Sequence, residues 1–198
     1  MKTILLIILL LNACIKHFEV MTEYKEDFKI DKINIYYMAP LSADKLIIIG
    51  NSHNDLEINS GQRLFIVNKN SKEILFESKP VESAYEGNLY QVIIKNHKLI
   101  LWEIKNEFFS DLKLFKLSNS KFIYIGDFEV ALDIRDKYIE DFSYPVKEIE
   151  IEESDNFIHF KFMKDLTLYP FQENPIKIEP NSLIYELDLI NDNLKIKQ

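Results

Sequence analysis

The chain predicts an all-β fold made of three four-stranded antiparallel units. Short runs rich in Ile, Phe, Tyr and Val are broken by Asn, Ser, Asp and Gly, which are strand and turn signals. The runs come in sets of four, and successive sets start 56 and 57 residues apart, at Ile33, Leu89 and Val146. Apolar spacing of helical period is limited to Val130–Phe142, where Ala131, Ile134, Tyr138 and Phe142 recur and Pro145 follows.

Each unit opens on a strand: Ile33–Tyr37, Leu89–Ile94 and Val146–Ile151. The second strands are Lys45–Gly50, Lys98–Ile104 and Asn156–Met163. The third and fourth form hairpins. Arg63–Val67 turns through Asn68–Ser71 into Ile74–Phe76, Lys113–Leu117 turns through Ser118–Ser120 into Phe122–Ile125, and Leu183–Leu187 turns near Asn191–Asn193 into Leu194–Ile196. Branched and flat side chains suit the pleated surface of each run. Unit three carries an insertion, Lys164–Asn181, with Pro170, Pro175 and Pro180.

Side chains alternate across a strand, so the sequence also says which faces are covered. In unit one Leu64 and Ile66 oppose Phe65 and Val67, and Ile47, Ile49 and Tyr37 oppose Leu46, Ile48 and Tyr36. In unit two Leu99 and Leu101 oppose Ile100, Trp102 and Ile104. Both faces of these units are apolar and need cover. Unit three alternates instead: Ile149 and Ile151 oppose Glu148, Glu150 and Glu152, and Ile158, Phe160 and Phe162 oppose His159 and Lys161. One of its faces meets water. An open stack with a charged end cap follows. This strand pattern resembles the repeats of β-propellers, although no Trp-Asp blade pair is present and three units are fewer than the usual four to eight. A β-trefoil and a β-sandwich are the alternatives.

The first residues carry a different signal. Lys2 precedes an unbroken apolar run, Ile4–Leu11, and then Leu11-Asn12-Ala13-Cys14. A charge, a short apolar core, a small residue and a cysteine are the layout of an export signal. The run is too short for a span, which needs about 20 apolar residues. The segment resembles the lipobox of bacterial lipoproteins, with Asn12 standing where a small residue is usual. The resemblance implies cleavage before Cys14, lipid on Cys14, and residence in the bacterial cell envelope, at the outer membrane facing the periplasm. It divides the chain into a signal peptide (1–13), a lipidated N-terminal tether (14–32) and a single all-β repeat domain (33–198). The segment Ile15–Lys32 is more than a spacer, because Phe18, Met21, Tyr24 or Lys25, and Phe28 form an apolar stripe at mixed spacing beside a unit that needs cover.

Removal of the signal leaves 185 residues, enough for one domain with a sizeable core. The mature balance is 23 basic against 32 acidic side chains, −9, which disfavours nucleic acid and anionic lipid, so membrane attachment falls to the anchor. Cys14 is the only cysteine, which excludes an internal disulfide and a cysteine-based metal site.

The search for chemistry yields no catalytic residues, no metal site and no cofactor. Gly50, Gly61, Gly87 and Gly126 are too dispersed for a phosphate loop or nucleophile elbow. His17, His53, His97 and His159 have no zinc-protease spacing. His159 reads as a solvated histidine and His97 as part of a turn. The acidic residues Glu148, Glu150, Glu152, Glu153 and Asp155 are too linear to wrap calcium and read as a solvated face that discourages edge pairing. Asp133, Asp136, Glu140 and Asp141 read as a solvated helix face. The polar loop His53, Asn54, Asp55, Glu57 and Asn59 is the candidate contact surface, since loops on rigid sheets carry function. The reading is a non-catalytic, lipid-anchored binding protein with a protein partner. The alternatives are an envelope hydrolase using two carboxylates and an immunity-type inhibitor of a toxin.

Overall fold

The computed structural model describes residues 16–53, 61–82, 84, 86–94, 97–105, 110–118, 121–128, 145–163, 166–168, 176–179 and 182–197. The strands are β1 (Glu19–Val20), β2 (Ile33–Pro40), β3 (Lys45–Ser52), β4 (Arg63–Asn68), β5 (Ile74–Glu77), β6 (Glu86–Ile94), β7 (His97–Lys105) and β8 (Ser110–Ser118). They continue with β9 (Lys121–Phe128), β10 (Ile149–Glu153), β11 (Phe157–Phe162), β12 (Leu166–Leu168), β13 (Ile176–Ile178), β14 (Ile184–Asp188) and β15 (Asn193–Lys197). No α-helix occurs among the described residues, and Val130–Phe142 lies outside them.

Each expected unit is one antiparallel meander. Sheet one is β2-β3-β4-β5, sheet two is β1-β6-β7-β8-β9, and sheet three is β10-β11-β14-β15, with β12 and β13 pairing separately inside the insertion. The described strands close no barrel, so the barrel a trefoil needs is not formed.

The cores lie between the sheets. Ala39, Ile47, Ile49, Leu64 and Ile66 of sheet one meet Leu89, Ile100, Trp102, Ile104 and Phe115 of sheet two. The other face of sheet two, with Tyr90, Val92, Leu99, Leu101, Leu114 and Phe128, meets Ile149, Ile151, Ile158, Phe160, Tyr185 and Leu187 of sheet three. Phe128 sits edge-on to both Phe160 and Tyr185, at centroid distances of 5.2 and 4.9 Å. Fully burying one such large apolar side chain stabilises by roughly 1.5–3 kcal/mol, so these two interlayers hold the stack. The alternation read from the sequence therefore selects the neighbour of each face.

Two local departures have clear causes. Tyr36, expected beside Leu46 and Ile48, is exposed because the β2–β3 register shifts between Ile35 and Tyr37 and turns it outward. The first strand of unit three begins at Ile149, not Val146, because Pro145–Glu148 forms a 3₁₀-helix. Proline fixes φ and lacks an N–H for the ladder, yet Val146 still reaches the core.

The units also repeat in detail. In β5 and β9 the pairing slips by one residue, at Ile66/Val67 and Leu114/Phe115, which leaves Leu75 and Ile125 as bulged residues. The third hairpin turns of units one and three share one construction. Asn68 Oδ1 accepts from the N–H groups of Asn70 and Ser71 at 2.9 and 3.0 Å, and Asp188 Oδ1 accepts from those of Ile190 and Asn191 at 2.8 and 3.1 Å. Each turn then places its fifth residue in the left-handed region, Lys72 at φ 62° and Asp192 at φ 52°. A short polar side chain that bonds the backbone two residues on stabilises such turns.

Residues 16–32 run across all three sheets in reverse order. Lys16 exchanges backbone hydrogen bonds with Ile151 of sheet three at 2.9 and 3.2 Å. Glu19 and Val20 pair with Gln91 and Tyr90 of sheet two. The N–H of Tyr24 donates to the Met38 carbonyl of sheet one at 2.8 Å. Phe18, Met21 and Phe28 are buried in three different clusters: Phe18 between sheets two and three, Met21 between one and two, and Phe28 on the outer face of sheet one. There Phe28 covers Ile33, Leu46, Ile48, Phe65 and Val67, with Tyr24 and Ile30 at its side. This strap supplies the cover that unit one required.

The meanders put two turns of every unit at one end of the stack, here the hairpin end. The Lys69 N–H donates to the Asp44 carbonyl at 2.8 Å, joining the two turns of sheet one. The Leu189 N–H donates to the Asn156 carbonyl at 2.9 Å, joining those of sheet three. Lys98 Nζ donates to the Leu41 carbonyl at 2.9 Å, and Lys116 pairs with Asp192, so the adjoining ends of β7 and β8 lie beside them. The β3–β4, β5–β6 and β7–β8 connections and the insertion leave from the opposite, loop end.

Candidate functional site

The face of sheet three that points away from sheet two carries a network of charge. The register sets Glu152, His159, Glu186 and Lys195 side by side across the four strands. Paired residues project to the same side, so this row is a ladder of directly opposed side chains. A second row holds Glu150, Lys161, Ile184 and Lys197. Their apolar neighbours Ile151, Ile158, Phe160, Tyr185 and Leu187 point the other way, into the core, which fixes the charged side outward.

Glu186 is the hub. Its Oε2 lies 2.9 Å from His159 Nε2 and 3.5 Å from Lys197 Nζ, and its Oε1 lies 3.2 Å from Lys195 Nζ. The hydrogen bond from His159 holds the Glu186 carboxyl below the usual glutamate range, and Lys195 and Lys197 act in the same direction. Lys161 pairs with Glu152, and Lys16 of the strap pairs with Glu153. Asp188, at the end of β14, is also held low, chiefly by hydrogen bonds from Asn191 and Ile190. His159 is thus no solvated histidine: it is half-buried and bonded to Glu186. The sequence marked the face, but the partners follow only from the β11–β14 and β14–β15 registers.

Of the polar loop, His53 alone is described. It is exposed at the loop end, and its Nε2 lies 2.7 Å from Asn34 Oδ1. Asn54, Asp55, Glu57 and Asn59 lie outside the described residues, as do Cys14 and the acidic residues Asp133, Asp136, Glu140 and Asp141.

Two further features escaped the sequence reading. Glu103 is fully buried inside an apolar run, where its Oε2 accepts from the Tyr90 hydroxyl at 3.0 Å and from Asn88 Nδ2 at 3.4 Å. Its only signal is one acid in the run Leu99–Ile104. A groove of about 490 Å³ also runs between the strap and β6, lined by Lys16, His17, Glu19, Gln91, Val92 and Ile93. His17 Nδ1–H donates to the Ile149 carbonyl at 3.2 Å at its side. Among the described residues no group of three His, Cys, Asp or Glu side chains is placed to hold a metal ion. On the charged face Glu152 pairs with Lys161, and Glu186 with His159, Lys195 and Lys197. No described helix is long and apolar enough to cross a membrane. No protein-family model, curated protein or solved structure matches the chain.

Proposed function

We propose that the protein is a lipid-anchored component of the bacterial cell envelope that binds a protein partner and carries out no chemistry of its own. In this reading Cys14 holds the lipid, and the three sheets form an open, propeller-like array. The observation that carries the binding role is the outer face of sheet three. Among the described residues the strap covers the outer face of sheet one and not this one, and charges here are already fixed in place around Glu186. Fixed charges lose little side-chain freedom on binding and give specificity and rate of encounter.

The anchor is tested by metabolic labelling with a fatty acid: wild type takes the label and Cys14→Ser does not, and equal labelling of both refutes it. The binding face is tested by placing a photo-crosslinking residue at position 159 and, as a control, at position 36. In the native envelope a discrete adduct forms from position 159, not from position 36, and disappears in Lys195→Glu/Lys197→Glu. No adduct from position 159, or an adduct indifferent to the charge change, refutes the assignment.

A further inference from the structure

We infer that the bilayer lies against the hairpin end of the stack and that the loop end, with His53 and the insertion, faces away from the membrane. The inference rests on lipidation of Cys14 and adds an orientation to it. Only Ile15 separates Cys14 from Lys16, and Lys16 is bound on both its N–H and its C=O to Ile151. Two residues span at most about 7 Å. The lipid is therefore joined to the folded body with almost no slack.

The direction of the strap chooses the end. Glu19 and Val20 run antiparallel to β6, and Lys16 opposes Ile151 in antiparallel sense. Followed backwards, the strap heads toward the last residues of β6 and β10, where those strands enter their turns. Lys16 Nζ already reaches the Ile93 carbonyl at 3.3 Å and pairs with Glu153. Both partners sit next to the hairpin end.

Two exposed apolar side chains lie at the same end. The two most exposed large ones among the described residues are Ile190, at 71 %, and Ile93, at 62 %. Ile190 tips the β14–β15 turn and Ile93 is the last residue but one of β6. Side chains of this kind settle at the headgroup boundary of a surface that the acyl chains hold close. His53, after the eight residues of β3, lies about 25 Å further out, at about 3.3 Å per residue.

The test uses the full chain, lipidated in a bacterial host and reconstituted in phosphatidylcholine vesicles. Cys14 is the only cysteine, so a second one supplies the only free thiol. A fluorophore is attached at Ile190→Cys or at His53→Cys, both exposed positions, and quenched by lipids carrying a nitroxide at the headgroup. Strong loss of fluorescence from position 190 with none from position 53 is expected. Equal quenching at both, or none at either while the protein floats with the vesicles, overturns the orientation and leaves the anchor standing. Protein that neither takes a fatty-acid label nor floats overturns the anchor, and the orientation with it.

Discussion

Phe28→Ala tests whether the strap is part of the folded body. Phe28 is 8 % exposed, packs on Leu46, Ile48, Phe65 and Val67, and carries Lys72 Nζ over its ring at 3.8 Å. A buried aromatic side chain removes roughly 150–200 Å² from water, which at about 25 cal/mol per Å² is worth about 4 kcal/mol. The cation above the ring adds about 0.5–1 kcal/mol. An unfolded chain that already hides part of its apolar surface lowers the sum, so the expected loss is about 3–4 kcal/mol. Urea titration reads it through Trp102, the only tryptophan and fully buried between sheets one and two. The midpoint falls and the slope is unchanged, as for a pure loss of stability. Val20→Ala, on the same strap but exposed, shifts the midpoint little. A loss below about 1 kcal/mol for Phe28→Ala would show that sheet one does not need this cover.

Three other outcomes follow from the geometry. Gly50→Ala costs roughly 1–3 kcal/mol in a thermal melt, because its new Cβ would lie 2.3 Å from the Asn34 carbonyl oxygen; Gly126→Ala, whose Cβ would meet Leu194 at 3.5 Å, is tolerated. Asn68→Ala loses the two turn hydrogen bonds and about 1 kcal/mol, whereas Asn68→Asp is near neutral in the same melt, since Asp188 fills the equivalent role in unit three. The carboxyls of Glu186 and Asp188 are held below their ordinary values of 4.5 and 3.8, so the unfolded chain binds more protons there. Their contribution is complete above about pH 5 and is lost as pH falls through the lowered values; an unfolding series against pH shows this decline, and Glu186→Gln makes it shallower.

The stack could be read from the chain because burial on one or both faces leaves a period-two record. Ile47 and Ile49 were separated from Leu46 and Ile48, and Leu99 and Leu101 from Ile100 and Trp102, by alternation alone, and the structure sends each set to a different layer. The strap was legible for the same reason: Phe18, Met21 and Phe28 are apolar where a spacer would be polar. Its path was not, because nothing in the chain states which sheet edges lie side by side. The bulges at Leu75 and Ile125, the 3₁₀-helix at Pro145 and the outward turn of Tyr36 depend on backbone hydrogen bonding, which leaves a weak mark on composition. In the site, the charged face was visible as alternation in β10 and β11, but the place of Glu186 at its centre needs β14, a strand the insertion separates from β11.

The strap also sets the order in which the molecule can be completed. Its first residues are made early, yet their seats are made last: His17 bonds a carbonyl 132 residues further along, and Phe18 stacks on Phe160 at 6.0 Å. Phe28 and Ile30 find sheet one nearby in the chain and can settle as soon as that meander exists. Closing a loop of such length adds an entropic cost that grows only as the logarithm of its size, but contacts this distant slow the search. The strap can thus be fully seated only when the final meander has formed. A chain that stops after Phe128 keeps the interlayer between sheets one and two and leaves Phe18 without a partner ring.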